Sequence, residues 1–223
     1  SFRPERRYLR DLLRLGIPMA VQYAAVLFSI VFIAARVNTY GVAASAANGV
    51  ANKLENIVRI VPLSLATAGS AMVAQNIAAA RQKRVSRIVL YTYGLCAVWG
   101  VLCGLAVYFF PTGIFSLFDR SEAVAAYGRI YASAGLLCYI GNGLRAASNA
   151  LLNGIGFAAL SLVSGLIDSV AARIGFSLLL ANGLGLGIYG YWLGSALAGF
   201  IPVLIGGTYF LTGRWKHFRF LKD

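Results

Sequence analysis

The sequence predicts an all-α polytopic membrane protein, a six-transmembrane-helix bundle. Three observations lead there. First, of 223 residues 59% are apolar and only 12% are charged, with a mean hydropathy of +0.74. An ordinary soluble domain carries about 25% charged residues, so this chain has too few to coat a water-facing surface. Second, the apolar residues fall in six continuous runs, each long enough to cross a hydrocarbon core of about 30 Å as a helix. The runs lack alternation, which excludes barrel strands. Third, the basic residues sit at alternate links rather than evenly.

The spans follow in order. The first covers residues 15–37 and ends at Asn38 and Gly41. The second lies within 42–80. It is overlong: 39 residues make about 58 Å of helix, so its first turns lie outside the core or the helix tilts or bends, with Pro62 as the expected bend. The third covers 85–110, followed by Pro111, Gly113 and Asp119. The fourth covers 122–152, the fifth 157–181 and the sixth 188–211. Asn153, Gly154 and Gly156 separate the fourth from the fifth; Asn182, Gly183, Gly185 and Gly187 separate the fifth from the sixth. Short links make successive helices antiparallel neighbours.

Arg3, Arg6, Arg7, Arg10 and Arg14 precede the first span; Arg81, Lys83, Arg84 and Arg87 follow the second; Arg214, Lys216, Arg219 and Lys222 follow the sixth. All lie on one side. The other side has Arg120 beside Asp119 and Glu122. The positive-inside rule puts both termini in the cytoplasm, and a bacterial cytoplasmic membrane is the expected location. The net charge of +13 is thereby explained as topology signals beside anionic lipid, with no need for nucleic acid. Arg6 and Arg7 before an apolar run resemble a signal peptide, but the run is too long and has no cleavage site. The chain opens on Ser1 rather than Met and is expected to be a piece of a longer protein.

Ionisable and polar residues inside spans are costly and mark candidate sites. In the second span Asn48, Asn52, Glu55 and Arg59 share one helix face. That face either lines a watery cavity, or Glu55 and Arg59 form a local pair at the interface. In the fourth span Asn142, Arg145, Asn149 and Asn153 share a face. Arg145 lies 11 residues before Gly156 and Asp168 lies 12 after it, so a hairpin brings them level as an ion pair, architectural or gating. Arg36 and Arg129, near span ends, snorkel. Tyr209, Trp215 and Phe218 are expected to form an interfacial aromatic belt.

Signals for catalysis are missing. His217 is the only histidine and sits in the basic tail; Cys96, Cys103 and Cys138 form no CxxC; there is no GxSxG, no metal-ligand spacing and no Walker A loop, so neither an enzyme nor a cofactor is expected.

The chain resembles the carboxyl-terminal half of a multidrug and toxic compound extrusion (MATE) transporter. The residues are Leu15-Gly16-Ile17-Pro18, Asn38-Thr39-Tyr40-Gly41, Pro62-Leu63-Ser64-Leu65, Val73-Ala74-Gln75-Asn76, Leu151-Leu152-Asn153-Gly154-Ile155-Gly156, Arg173, Gly190-Tyr191-Trp192-Leu193-Gly194 and Gly213-Arg214-Trp215-Lys216. Where the family usually has glycine and alanine after Gln-Asn, this chain has Ile77-Ala78-Ala79-Ala80. The resemblance implies one lobe of a two-lobe antiporter that exports amphipathic or cationic small molecules (drugs, toxins, metabolites) as H+ or Na+ enters. Residues 1–14 are then a cytoplasmic basic interlobe segment, 15–211 the six-helix lobe and 212–223 a cytoplasmic basic tail. The partners are the lipid bilayer, the amino-terminal six-helix lobe and a small organic substrate. Gln22, Asn48, Asn52, Glu55, Asn142 and Asn149 are the expected cavity residues, and Arg145, Asp168 and Arg173 the gating or structural ion pairs. A lipid-linked oligosaccharide flippase of the same superfamily and a non-transporting membrane scaffold are the alternatives.

Overall fold

The structure, a computed structural model, describes residues 6–217. Arg3, Phe218, Arg219 and Lys222 lie outside the described residues. Among those described, every regular element is helical. The long helices are α1 (Arg6–Asn38), α2 (Val42–Ala78), α3 (Gln82–Phe109) and α5 (Glu122–Gly154), with the short α4 (Pro111–Ser116) in the link before α5. The fifth span is α6 (Ala158–Leu166), a π-helical stretch Ile167–Ala172, α7 (Arg173–Leu178) and a second π stretch Leu179–Gly183. The sixth is α8 (Gly187–Ala198) and α9 (Ile201–Leu211), and a 3-10 turn, Arg214–His217, follows. Six segments are long and apolar enough to cross a membrane: Ala20–Asn38, Val42–Ala78, Gln82–Phe109, Glu122–Gly154, Ala159–Gly183 and Gly187–Leu211.

The basic stretch from Arg6 onward is helical and continuous with the first span in α1. Ser45 Oγ donates to Asn38 Oδ1 at 2.7 Å across the α1–α2 turn, where Gly41 takes φ +104°. α2 runs unbroken through Pro62. Proline leaves the carbonyl four residues earlier, that of Val58, without an amide partner. The Trp99 indole supplies one, with Nε1 2.9 Å from the Val58 oxygen. The break falls instead in the sixth span, between α8 and α9, next to Pro202. There Gly199 and Phe200 turn back to carbonyls three residues away (3.2 and 3.1 Å), a tightened turn just where proline withholds a donor.

α5 is the centre, packing against α2, α3, α8 and α9. Small residues let backbones approach closely without a hydrophobic drive between helices. A Cβ on Gly143 would stand 2.5 Å from the Cys96 carbonyl oxygen of α3, and one on Gly194 would collide with the Ser177 backbone. Cover is uneven. In the fourth and sixth spans 50% of the apolar window is buried, but only 17% in the first and 22% in the second. α1 and α2 therefore present an open side. Trp215 does not join an aromatic belt: it is 2% exposed, packed with Val73, Val85, Val89, Leu151 and Ile155.

Candidate functional site

The open side of α2 carries groups that do not belong against lipid tails. Asn52, Glu55 and Arg59 are half-buried, and Lys53, Asn56, Ser64, Thr67 and Gln75 are exposed. Asn56 is held by Arg59, and the Ser64 and Thr67 hydroxyls donate to the Ile60 and Leu63 carbonyls at 2.9 Å, but a lysine and a glutamine within a span still call for protein or water as neighbour.

At the end of α2 away from the basic links, a cavity of about 30 Å³ opens between α1, α2, α5, α7 and α8. Asn48, Asn52 and Glu55 line it with Tyr131, Arg173 and Ser195; the apolar lining includes Ile30, Cys138 and Trp192. Glu55 Oε1 accepts a hydrogen bond from Tyr131 Oη at 3.1 Å. Asn48 Oδ1 accepts one from the Trp192 indole at 3.0 Å, which turns that amide toward the cavity wall. The local Glu55–Arg59 pair does not form: Arg59 Nη2 donates to Asn56 Oδ1 at 2.8 Å. Asn48, Asn52 and Glu55 of this face border the cavity, and Arg59 does not.

A chain of charge runs from the cavity into the lobe. Arg173 Nη1 donates to Ser195 Oγ at 3.1 Å, and Arg173 Nη2 stands 3.8 Å from Asp168 Oδ1. Asp168, 1% exposed, accepts from Arg145 Nη1 through Oδ2 at 2.9 Å. The hairpin about Gly156 thus brings Arg145 and Asp168 level. Asp168 sits in the π-helical stretch Ile167–Ala172 and Arg173 directly follows it. A π-turn shifts the register of the residues beyond it, so the two side chains five positions apart reach each other.

Three residues expected to line the substrate or cation cavity lie outside this small one. Gln22 packs over Gly165 of α6, filling the space a side chain there would need. It lies eight residues from Ile30, about 12 Å along α1, too deep for the cavity. Asn142 donates to Cys138 Sγ at 3.3 Å, adjoining the lining without entering it. Asn149 is half-buried and eleven residues from Cys138, about 16 Å along α5, so it shares the face but not the depth. Tyr131, Cys138, Trp192 and Ser195 were missed as lining residues. Tyr131 and Cys138 are seven apart, two helical turns on one face, which was the available signal. Among the described residues no three His, Cys, Asp or Glu side chains come together as a metal site.

The MatE family profile matches residues 18–179. The chain belongs to the MATE family. Of its relatives, the probable multidrug resistance protein YpnP of Bacillus subtilis (strain 168) is 27% identical over 210 residues, covering 92% of this chain and 46% of that protein. The probable multidrug resistance protein YoeA of the same strain is 33% identical over 120 residues, 51% of this chain and 26% of that one. A MATE crystal structure in complex with MaL6 superposes with a TM-score of 0.87 at 17% identity, covering 97% of this chain and 50% of its own. The eukaryotic MATE transporter AtDTX14 gives 0.80 at 21% identity, 93% of this chain and 47% of its own. At that identity the structures establish the fold. The chain spans about half the length of these MATE proteins, as a six-helix unit of an integral membrane protein.

Proposed function

We propose that this MATE chain is one lobe of a secondary active antiporter, exporting amphipathic or cationic small molecules as H+ or Na+ enters. The observation that carries the reading is the open polar side of α2, with Lys53, Asn56, Ser64, Thr67 and Gln75 exposed inside a span. Such a face needs a second lobe or a water-filled cleft beside it. The half-length match to MATE proteins supports the same reading. The relatives are named as multidrug resistance proteins, which supports drug-like cargo. In this reading both termini are cytoplasmic, 1–14 joins the lobes and 212–223 is the tail.

The sizes divide the labour. A cavity of about 30 Å³ holds a bare cation or a water molecule, whereas organic ligands occupy about 300–1,000 Å³. This cavity is thus given to the coupling cation at Glu55, and the organic substrate to the cleft between the lobes. Glu55 supplies the negative charge, with the Asn52 amide beside it. Arg173 lines the same space but is held by Ser195 and stands beside Asp168, which leaves the Glu55 carboxylate to Tyr131 and a cation. Arg145 holds Asp168 in place beneath it. Rocking of one lobe against the other then gives alternating access. The flippase alternative draws less support, since one acid balances one arginine in the cavity.

The test is efflux by the full-length protein in cells stripped of their own drug pumps. Expression should lower the accumulation of an amphipathic cationic dye, and the six-helix chain alone should not. Equal dye accumulation with and without the full-length protein, across several such dyes, would remove the export reading.

A further inference from the structure

The two basic segments described above are more than a count of charges. Arg81, Lys83, Arg84 and Arg87 at the start of α3 are exposed, and so are Arg214 and Lys216 beyond α9. The segments are far apart in sequence, yet Gln82 Nε2 donates to the Lys216 carbonyl at 3.3 Å. Trp215, between the two tail cations, is driven into the core under α2, α3 and α5. Its ring stacks on Phe210 at 6.1 Å, and its indole N–H donates to the Phe210 carbonyl at 3.2 Å. Lys216 Nζ lies 5.8 Å from the centre of the Trp215 ring, so the tail is fixed on both sides of the tryptophan. A topology signal needs only charge on the correct side, not charge held in one arrangement.

We propose that this end of the lobe is a built binding surface for the headgroup of an anionic phospholipid. Three further features select that partner. No carboxylate stands beside these cations among the described side chains; Asp119 and Glu122 lie at the opposite end, and Glu5, Asp11 and Asp223 are outside the described side chains. The 28-residue helix α3 starts here with no acid in its first turn and no side-chain cap, leaving its positive end to a phosphate. Along α3, Leu90, Tyr91 and Leu95 continue below the cations as exposed apolar surface, which acyl chains would cover and a free anion would not use. Arginine supplies paired N–H donors to phosphate oxygens and Lys216 a point charge. The surface faces one leaflet only.

Native mass spectrometry of the full-length protein, titrated with cardiolipin, phosphatidylglycerol or phosphatidylcholine, tests this. The anionic lipids should bind at least about tenfold more tightly than phosphatidylcholine. R81Q/K83Q/R214Q/K216Q should lose that preference. Trp215→Ala keeps every charge but frees the tail, and should weaken it several-fold. Because these variants could disturb folding, the unmodified protein is also reconstituted with brominated lipids. Brominated phosphatidylglycerol should quench tryptophan fluorescence more than brominated phosphatidylcholine, and about 0.5 M salt should erase the difference. Equal quenching by the two lipids overturns the proposal. So does full preference in the Trp215→Ala variant, which reduces the surface to net charge, or displacement of lipid by equimolar inorganic phosphate, which makes it a small-anion site.

Discussion

The Trp99 indole N–H donates to the Val58 carbonyl at 2.9 Å, and Val58 is the residue that Pro62 deprives of its helical partner. A side chain from α3 thus repairs the ladder of α2 at the depth where water is scarce. Trp99→Phe should lower stability by about 1–2 kcal/mol, the cost of an unmade hydrogen bond. In a Pro62→Ala background, where an amide returns to Val58, the same change should cost much less. Thermal unfolding of the four proteins in mild detergent gives the coupling; additive effects would mean that the indole is not serving that carbonyl.

Asp168 answers to two arginines, Arg145 at 2.9 Å and Arg173 at 3.8 Å. Asp168→Asn strands both cations and should cost about 3–5 kcal/mol. Arg145→Met leaves Asp168 with Arg173 and should cost less. The double variant should be more stable than Asp168→Asn alone, because one stranded charge is gone. Unfolding midpoints that rank the double variant lowest would show that the cluster does not act through charge pairing.

Ala80 closes α2 at φ +55°, the left-handed region, with Arg81 N–H reaching back to the Asn76 carbonyl at 2.8 Å. Glycine is the usual residue at that position because a Cβ is strained there. Ala80→Gly removes about 1–2 kcal/mol of left-handed strain against about 0.5–1 kcal/mol of added chain entropy, so the unfolding midpoint should rise. A fall would show that the turn is not strained.

Single cysteines at Ser86 and Thr112, with Cys96, Cys103 and Cys138 replaced, should be labelled by an impermeant reagent from opposite sides of the membrane, Ser86 from the cytoplasm. Labelling of both from one side contradicts six crossings with this orientation.

The six spans were legible because span length and apolarity are set by the bilayer, one residue at a time. The Arg145–Asp168 contact was legible too, since counting from Gly156 fixes depth in a hairpin. Gln22 and Asn149 lie about 12 and 16 Å along their helices from the small cavity at Glu55, a difference of depth that helix face does not encode. The Glu55–Tyr131 bond joins residues 76 apart, and it depends on how α2 crosses α5, which periodicity does not encode. Nor does composition reveal that Trp215 turns into the core while the cations on either side stay out. The sixth-span break had a visible cause in Pro202, but Pro62 drew the expectation because its span is the overlong one.

The proposed division puts the coupling cation at Glu55 and the organic substrate between the lobes. The direct measurement is dye export by the full-length protein in proteoliposomes under an imposed H+ or Na+ gradient. Wild-type protein should export an amphipathic cationic dye in proportion to one of these gradients. Glu55→Gln, with the shape of the side chain kept and Tyr131 still within reach, should bind the dye unchanged yet lose about tenfold or more of the gradient-driven rate. Gradient-driven export by Glu55→Gln at the wild-type rate would contradict the account and leave Glu55 as a structural partner of Tyr131.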